Sequence, residues 1–347
     1  MAESETDTRS EAQSEEGRIA VLRPTRRDVL VSAAAAPALL MPRVAGAATA
    51  AFPARNIQFI IPYAAGGGFD TFVRYVAPVM ETHLPNKVNI VPFNIATGGG
   101  MRGITQLYRS RPDGHTIGIF DMPGMFVQQA VHGANGYDMD KFSWIGCMGE
   151  GERYLVGVGM SSPLKTFDDL KALSAQRPVK FAVTGLDGTA TAACIIGTEL
   201  LGIRRQLITG YRGSSEFIVA AIRGDSDAVI SAMSTMMKFA RGNQIRILAS
   251  FETKSSIPGI PDATTLGKPE LDAINVERPI AGPPGLPAEI QNILSGALAK
   301  ALAEPKVIAW AKDNDIMMLS KTPLQTVELV ARQRAFFDKW RNLLVTG

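Results

Sequence analysis

The stretch Ile57–Arg74, which reads IQFIIPYAAGGGFDTFVR, constrains the fold more than any other part of the chain. An apolar run typical of a buried strand, Ile57–Ile61, leads through a proline into three consecutive glycines, Gly66–Gly68. Apolar residues then recur at helical spacing after Asp70, so the stretch predicts a strand, a tight loop and a helix with Asp70 as its N-cap. Free main-chain N–H groups at a helix N-terminus favour anions, which makes this junction a candidate binding loop.

A second glycine cluster, Thr97–Gly100, follows another apolar run, Val88–Phe93. We expect the two glycine loops to face each other across a ligand cleft. For either cluster alone, the alternative is an ordinary turn without a ligand.

Strand-like and helical patterns alternate along the chain after Phe52, which predicts an α/β fold with parallel-type sheets flanked by helices. Predicted strands cover 57–61, 88–91, 116–120, 180–183, 206–208, 228–231 and 245–249, and predicted helices cover 70–83, 100–110, 167–176, 190–201, 215–223, 288–303, 305–313 and 324–344.

Two long extended runs, Phe142–Val158 and Ile274–Ala281, divide the chain into blocks. If each run passes between two domains, residues 51–152 plus 276–347 form a discontinuous domain 1 and residues 153–275 form domain 2. This layout is expected of a protein that closes on a ligand by hinge motion. In open α/β sheets, ligands lie at the carboxyl ends of the strands, where the glycine loops are.

The first fifty residues differ in composition from the rest. The paired arginines Arg26 and Arg27 precede a mildly apolar, alanine-rich run, Val31–Met41, which is typical of a twin-arginine export signal over residues 1–50. The alternative is a membrane anchor, but the run is too short to cross a bilayer. We therefore expect a periplasmic protein.

Several kinds of chemistry lack their usual patterns. The formal net charge of +3 and the absence of basic runs argue against a nucleic-acid partner. No metal-ligand spacing, serine-hydrolase elbow or nucleotide-binding fingerprint occurs, so we expect no metal, no cofactor and no enzymatic activity. His83, His115 and His132 are interpreted as surface or helix-end residues. Cys147 and Cys194 are interpreted as buried thiols, with a disulfide as the alternative.

A third loop, Thr184–Thr189, again ends in small polar residues ahead of a predicted helix. Backbone N–H groups of three such loops could hold a carboxylate without an arginine. Each polar residue taken alone, including Thr184, Thr189 and Ser231, is equally consistent with ordinary capping or turn chemistry. Asp70 taken alone is consistent with a helix cap that fixes its loop.

Five motifs in order resemble those of the periplasmic solute receptors of tripartite tricarboxylate transporters, also called Bug-type proteins. The family pattern PFxPGGGxD is similar to Pro62–Asp70, and NRPGAGG followed by PDGYT is similar to 94–100 and 112–116. The YKG loop, the GQVD turn and the APAGTP entry to the C-terminal helices are similar to 211–213, 224–227 and 281–287. The resemblance covers the whole chain after the predicted signal.

The resemblance implies a two-domain type II periplasmic binding fold, a Venus flytrap, that delivers a small organic acid to membrane permease subunits. It further implies a monomer without cofactor. Carried over by position or placed beside the same cleft, the candidate ligand-binding residues are Tyr63, Ala65, Gly66, Gly67, Phe69, Asp70, Thr97, Gly98, Gly99, Asp121, Thr184, Gly188, Thr189 and Ser231.

Four positions depart from the family pattern. Phe69 and Met101 replace polar residues and make the expected pocket more apolar, while Ser231 stands where aspartate is common. Asp121 adds an acid, which would repel a polycarboxylate. We therefore favour an aromatic or partly apolar carboxylate over citrate. A ligand sensor that signals to another protein and an exported enzyme remain the alternative functions.

Overall fold

The computed structural model describes residues 52–97, 99–133, 136–149, 151–316 and 318–346. The predicted export signal and Gly98 lie outside the described residues. No helix within the described part is both long and apolar enough to span a membrane.

One six-stranded sheet has the strand order β12-β4-β11-β3-β1-β2. Its strands are β1 (Ile57–Ile61), β2 (Ile90–Asn94), β3 (Thr116–Ile119), β4 (Ser143–Met148), β11 (Pro279–Gly282) and β12 (Ser320–Lys321). The first three strands along the chain pair in parallel, as expected, whereas β4, β11 and β12 pair antiparallel and make the sheet mixed.

A second group of strands comes from the middle of the chain. It comprises β5 (Glu152–Gly159), β6 (Val179–Ala182), β7 (Arg205–Ile208), β8 (Val229–Ala232), β9 (Ile245–Ser250) and β10 (Asn275–Val276). The long strand β5 pairs antiparallel with three others, while β6 and β7 form a parallel pair.

The helices connect and cover these strands. They are α1 (Gly68–Glu81), α2 (Met101–Tyr108), α3 (Gly124–His132), α4 (Phe167–Gln176), α5 (Thr189–Leu201), α6 (Ser214–Arg223), α7 (Met233–Arg241), α8 (Ala288–Ala303), α9 (Pro305–Asp313) and α10 (Pro323–Thr346), with 3-10 helices at Met139–Lys141 and Pro269–Ala273. All the predicted helices are present, and α3 and α7 are additional to the prediction.

Both faces of β1 are largely buried, which explains why Gln58 is its only polar residue. Ile57, Phe59 and Ile61 pack on one core cluster, together with apolar residues of α1 and α8. Ile60 points to the other face and joins a larger cluster that extends to the second group of strands. A strand covered on both faces carries apolar residues on both faces rather than only at alternate positions.

The chain crosses between the two groups of strands twice. The first predicted extended run is divided at Gly149, which has a φ of +86°, into β4 in one sheet and β5 in the other. The second run is divided at Glu277 and Arg278, between β10 and β11. The described residues nevertheless belong to one compact unit, so the predicted domain boundaries stay a prediction.

Two local predictions are wrong for identifiable reasons. Helix α1 begins two residues early, at Gly68, with Gly67 as N-cap and no side-chain cap. Asp70 instead reaches back from the first turn to accept a hydrogen bond from the Gly66 N–H. His115 is buried rather than exposed, because its ring packs edge-on against Phe52 and accepts a hydrogen bond from the Ala54 N–H.

The expected relation between the glycine loops is also wrong. β1 and β2 are neighbouring parallel strands, so their carboxyl ends, and the loops that follow, lie side by side. A Cβ atom on Gly100 would lie 2.4 Å from the Pro62 carbonyl oxygen. The two loops therefore pack against each other and do not face each other across a cleft.

The predictions for the cysteines are confirmed. Cys147 and Cys194 are both free and buried, in β4 and α5 respectively. Burial raises the pKa of Cys194 to about 12. Burial, reinforced by the nearby Glu277 carboxylate, also raises the pKa of Cys147 well above its ordinary range.

Candidate ligand-binding cleft

A cavity of about 880 Å³ lies between the first glycine loop and the second group of strands. Gly66–Phe69 line one side, and residues at the starts of α5, α6 and α7 line the other. Asp121, which follows β3, Glu152 and Tyr154 of β5, and Arg278, which precedes β11, also line it.

Four helix N-termini meet at this cavity. Gly68 begins α1, Thr189 begins α5, Ser214 begins α6 and Ser234 lies in the first turn of α7, and all four line the cavity. Each helix start carries roughly half a positive charge, since its first N–H groups have no acceptor within the helix. Their convergence adds positive partial charge to a cleft whose lining also holds four basic side chains (Arg212, Arg223, Lys238 and Arg278) and four acidic ones (Asp121, Glu152, Glu216 and Asp225).

Asp70 holds the first loop in place. Its carboxylate accepts hydrogen bonds from the Gly66 N–H at 2.8 Å, from Arg74 Nε at 2.9 Å and from Asn94 Nδ2 at 2.9 Å. Burial favours the neutral acid, but Arg74, the Gly66 N–H and Asn94 outweigh it and lower the pKa of Asp70 below its ordinary value of 3.8. The same Asn94 amide donates to the Tyr63 carbonyl, which ties the end of β2 to the first loop.

The lowered pKa of Asp70 predicts a loss of stability in acid. A group whose pKa falls on folding stabilises the protein above its unfolded pKa, and this contribution disappears as the pH falls through the folded value. Asp70→Asn is expected to lower the free energy of unfolding by about 1.5–3 kcal/mol at pH 7, with the difference shrinking below pH 3.8. Urea unfolding at pH 7 and at a pH below 3.8 measures the difference in the free energy of unfolding between wild type and variant. Glu199→Gln, at an exposed ion pair, is the control. An equal deficit at both values would contradict the assignment.

Asp121 links the two sides of the cavity. Its Oδ2 accepts hydrogen bonds from Tyr63 Oη at 2.7 Å and from Thr189 Oγ1 at 2.5 Å. Burial raises the pKa of Asp121, although Thr189, Tyr63, Arg278 and the Gly124 N–H act in the opposite direction. The first loop and the start of α5 are thus joined through one buried carboxyl group.

Arg278 and Glu152 form a buried ion pair where the two crossings meet. Arg278 Nη2 donates to Glu152 Oε2, and the Ser234 N–H at the start of α7 donates to Glu152 Oε1 at 2.7 Å. Burial opposes ionisation of Glu152, but Arg278 and Ser234 outweigh it and lower the pKa of Glu152. The guanidinium lies 4.3 Å from the centre of the Phe72 ring and 5.3 Å from that of Phe69, within cation–π range.

The structure brings together only some of the candidate residues. Those that line the cavity are Gly66, Gly67, Phe69, Asp121 and Thr189. Tyr63 and Asp70 lie behind them and hold them through hydrogen bonds. Six other candidates in the described part of the chain do not line the cavity: Ala65, Thr97, Gly99, Thr184, Gly188 and Ser231.

The remaining candidates have other surroundings. Gly99 accepts a hydrogen bond from Gln128 Nε2 of α3 at 2.6 Å, while Thr184 Oγ1 lies 3.4 Å from Thr191 Oγ1. Ser231 pairs with Leu155 across the strands, whereas the adjacent pair, Tyr154 and Ala232, lines the cavity. Because neighbouring residues of a strand point to opposite faces, Ser231 faces away from the cleft.

Sequence reasoning missed Glu152, Tyr154, Arg278 and the starts of α6 and α7. One available signal was charge inside an extended apolar run, because Glu152 and Arg278 each lie in a predicted crossing. A charged residue in such a place is costly unless it is paired. Two of opposite sign could therefore have been expected to meet.

The family model described as "Tripartite tricarboxylate transporter family receptor" matches residues 72–344. The chain belongs to this family. This receptor is 27% identical over 308 residues to protein BugT of Bordetella pertussis, a match that covers 84% of this chain and 89% of BugT.

Two solved structures have the same fold. MatC of Rhodopseudomonas palustris, with bound malate, has a TM-score of 0.71 at 20% identity and covers 84% of the receptor and 100% of MatC. Rpa4515 of the same organism, with adipate, has a TM-score of 0.74 at 20% identity and covers 84% and 98%. The expected periplasmic-binding-protein fold is confirmed.

Proposed function

We propose that this receptor binds a small carboxylate in the cleft and delivers it to the membrane subunits of a tripartite transporter. The observation that carries the proposal is the convergence of four helix N-termini on one cavity. Such a site stabilises a carboxylate through backbone N–H groups and helix dipoles. The malate and adipate named for the two similar structures are both small carboxylates.

The cavity also favours an apolar portion in the ligand. Phe69, Phe72, Tyr154 and Trp310 contribute aromatic surface to the lining. Trp310 is held by stacking on Tyr75, with ring centres 4.4 Å apart. An aromatic ring or short alkyl chain next to the carboxylate would cover this surface, whereas citrate would place further charges against it.

We propose a binding role without catalysis. The buried thiols keep their protons, since the pKa values of Cys147 and Cys194 are both raised, and a thiol is a poor nucleophile in that state. The described residues contain no group of His, Cys, Asp and Glu suited to hold a metal ion.

The export route, the monomeric state and the domain motion are proposed from the sequence. Export through the twin-arginine route would place a monomeric receptor in the periplasm. Residues 51–152 plus 276–347 would move against residues 153–275 on closure, with the hinge at the two crossings. The hydrogen bond from Thr189 to Asp121 joins these two parts, and if it forms on closure it would favour the liganded state.

A calorimetric titration of the purified protein with mono-, di- and aromatic carboxylates tests the function. At least one such acid is expected to bind in the micromolar range and to raise the melting temperature, and citrate is expected to bind more weakly. If no carboxylate binds, the proposed function is wrong. Conversion of a bound acid to product would favour an enzyme instead.

Gly67→Val tests the first loop separately from the fold. Gly67 has an extended backbone conformation, and a Cβ atom there would meet only the Ala64 carbonyl oxygen, at an ordinary 3.4 Å. The variant is expected to keep its melting temperature and to bind the acid roughly tenfold more weakly, because the side chain enters the cavity. Val91→Ala, on the exposed edge strand, is the control, and an unchanged affinity in Gly67→Val would remove the loop from the site.

A further inference from the structure

Asp121 and Arg278 lie directly opposite each other at the cavity. Met122 and Glu277 exchange both of their backbone hydrogen bonds, and the antiparallel register of β3 and β11 continues through them. The neighbouring pair, Asp121 and Arg278, is therefore a non-hydrogen-bonded pair. In such pairs the two side chains are closest, with Cβ atoms about 4.5–5.5 Å apart.

Each of these residues has one buried polar atom without a partner among the described residues. They are Asp121 Oδ1, an acceptor, and Arg278 Nε, a donor, on side chains that are more than nine-tenths buried. The other carboxylate oxygen of Asp121 is taken by Tyr63 and Thr189, and Arg278 Nη2 is taken by Glu152. A buried polar atom without a partner is costly, so an acceptor and a donor that lack partners on two side chains lining one cavity indicate a ligand with both complements.

The charges of the buried side chains support the same conclusion. Asp121, Glu152 and Arg278 form a group of two acids and one base, and the single guanidinium is already paired. A bare carboxylate would meet Arg278 favourably but would leave the open oxygen of Asp121 facing another acceptor. A hydrogen-bond donor on the adjacent carbon of the ligand would turn that repulsive contact into an attractive one.

We propose that the cleft selects acids with a hydrogen-bond donor, a hydroxyl or an ammonium group, on the carbon next to the carboxylate. The carboxylate contacts the Arg278 guanidinium and the donor contacts Asp121 Oδ1. This inference rests on the proposed function, since it specifies which carboxylates the same cleft takes.

Two matched series of acids test the proposal by isothermal titration. The first is succinate, malate and aspartate, and the second is phenylacetate, mandelate and phenylglycine. Within each series the members differ only in hydrogen, hydroxyl or ammonium at the carbon beside the carboxylate. We expect at least one donor-bearing member to bind tenfold or more tightly than its parent, since an unmet buried acceptor costs about that factor.

Variants assign the selectivity to its residues. Asp121→Ala is expected to bring the donor-bearing and parent acids to within about twofold of each other, because the parent no longer faces an unmet acceptor and the donor-bearing acid loses its partner. In Asp121→Asn the amide oxygen is expected to keep the hydrogen bonds from Tyr63 and Thr189, which places the NH2 group at the position of Oδ1. That group can donate to a hydroxyl but cannot accept from an ammonium group, so this variant distinguishes hydroxy acids from amino acids. Arg278→Lys keeps the charge beside Glu152 and is expected to weaken all the acids while preserving their ratio. Asp140→Asn, at an exposed ion pair with Arg334, is the control, and thermal unfolding verifies that each variant is folded.

The outcomes separate the two proposals. If parent and donor-bearing acids bind equally, the selectivity is refuted and the receptor function stands. If the affinity ratio between donor-bearing and parent acids in Asp121→Ala equals that in the wild type, another residue contacts the donor and the assignment to Asp121 is wrong. If no acid of either series or of the wider screen binds, both proposals fail.

Discussion

Arg278→Met is expected to lower the free energy of unfolding by about 3–5 kcal/mol, because it leaves the Glu152 carboxylate buried without its cation. Glu152 is nine-tenths buried, and apart from Arg278 its carboxylate accepts a hydrogen bond from the Ser234 N–H. Methionine fills much of the volume of the arginine side chain and keeps contact with Phe72. The lost stability is therefore due mainly to the unpaired charge of Glu152. Urea unfolding with an unchanged slope measures the effect.

A double variant provides the matched control for this prediction. Glu152→Gln with Arg278→Met removes both charges at once and is expected to recover at least half of the stability lost in the single variant, since no unpaired ion remains buried. If the double variant is as unstable as the sum of the two single variants, the residues act independently and the ion pair does not organise the crossing.

Gly100→Ala is expected to destabilise the protein by about 3 kcal/mol, the sum of two effects. Gly100, the N-cap of α2, has a φ of +90°, which costs an L-residue roughly 1–2 kcal/mol. The added methyl group would also lie 2.4 Å from the Pro62 carbonyl oxygen, so one of the two glycine loops has to move, at a cost of about 1–3 kcal/mol.

Gly224→Ala separates these two effects. Gly224 follows α6 with a φ of +84°, and a Cβ atom there would meet nothing within 4 Å. This variant is therefore expected to lose only the conformational part, about 1–2 kcal/mol. Equal losses in thermal or urea unfolding for the two alanine variants would show that the loops do not depend on the contact between Gly100 and Pro62.

The sequence predicted the regular elements well where local periodicity was strong. The helices α4, α8 and α9 have the predicted bounds, and Thr166 caps α4 through a reciprocal bond with Asp169, because helical spacing and capping are local properties. Helix α3 was missed because its start is obscured by a proline, and α7 because it follows β8 without a loop.

The arrangement of the site depended on information that is not local. The glycine loops were correctly recognised as following strands, but their relation follows from β1 and β2 being adjacent, which only strand pairing reveals. Arg278 and Glu152 are 126 residues apart in the chain, and although each is a charge within a predicted crossing, no local pattern indicates which charge of the other crossing it meets. Only the two crossings together make them neighbours.

The two buried cysteines allow the motions of this receptor to be followed without introducing a new cysteine. Cys147 lies beside Glu277 at a crossing, 3.7 Å from its Oε2, while Cys194 lies in the interior of α5. A thiol reagent can reach either sulfur only when its surroundings open, so the two alkylation rates separate local opening at the crossing from opening of the middle part of the chain. Slower alkylation of one cysteine in the presence of an acid would show which part of the protein that acid makes more rigid.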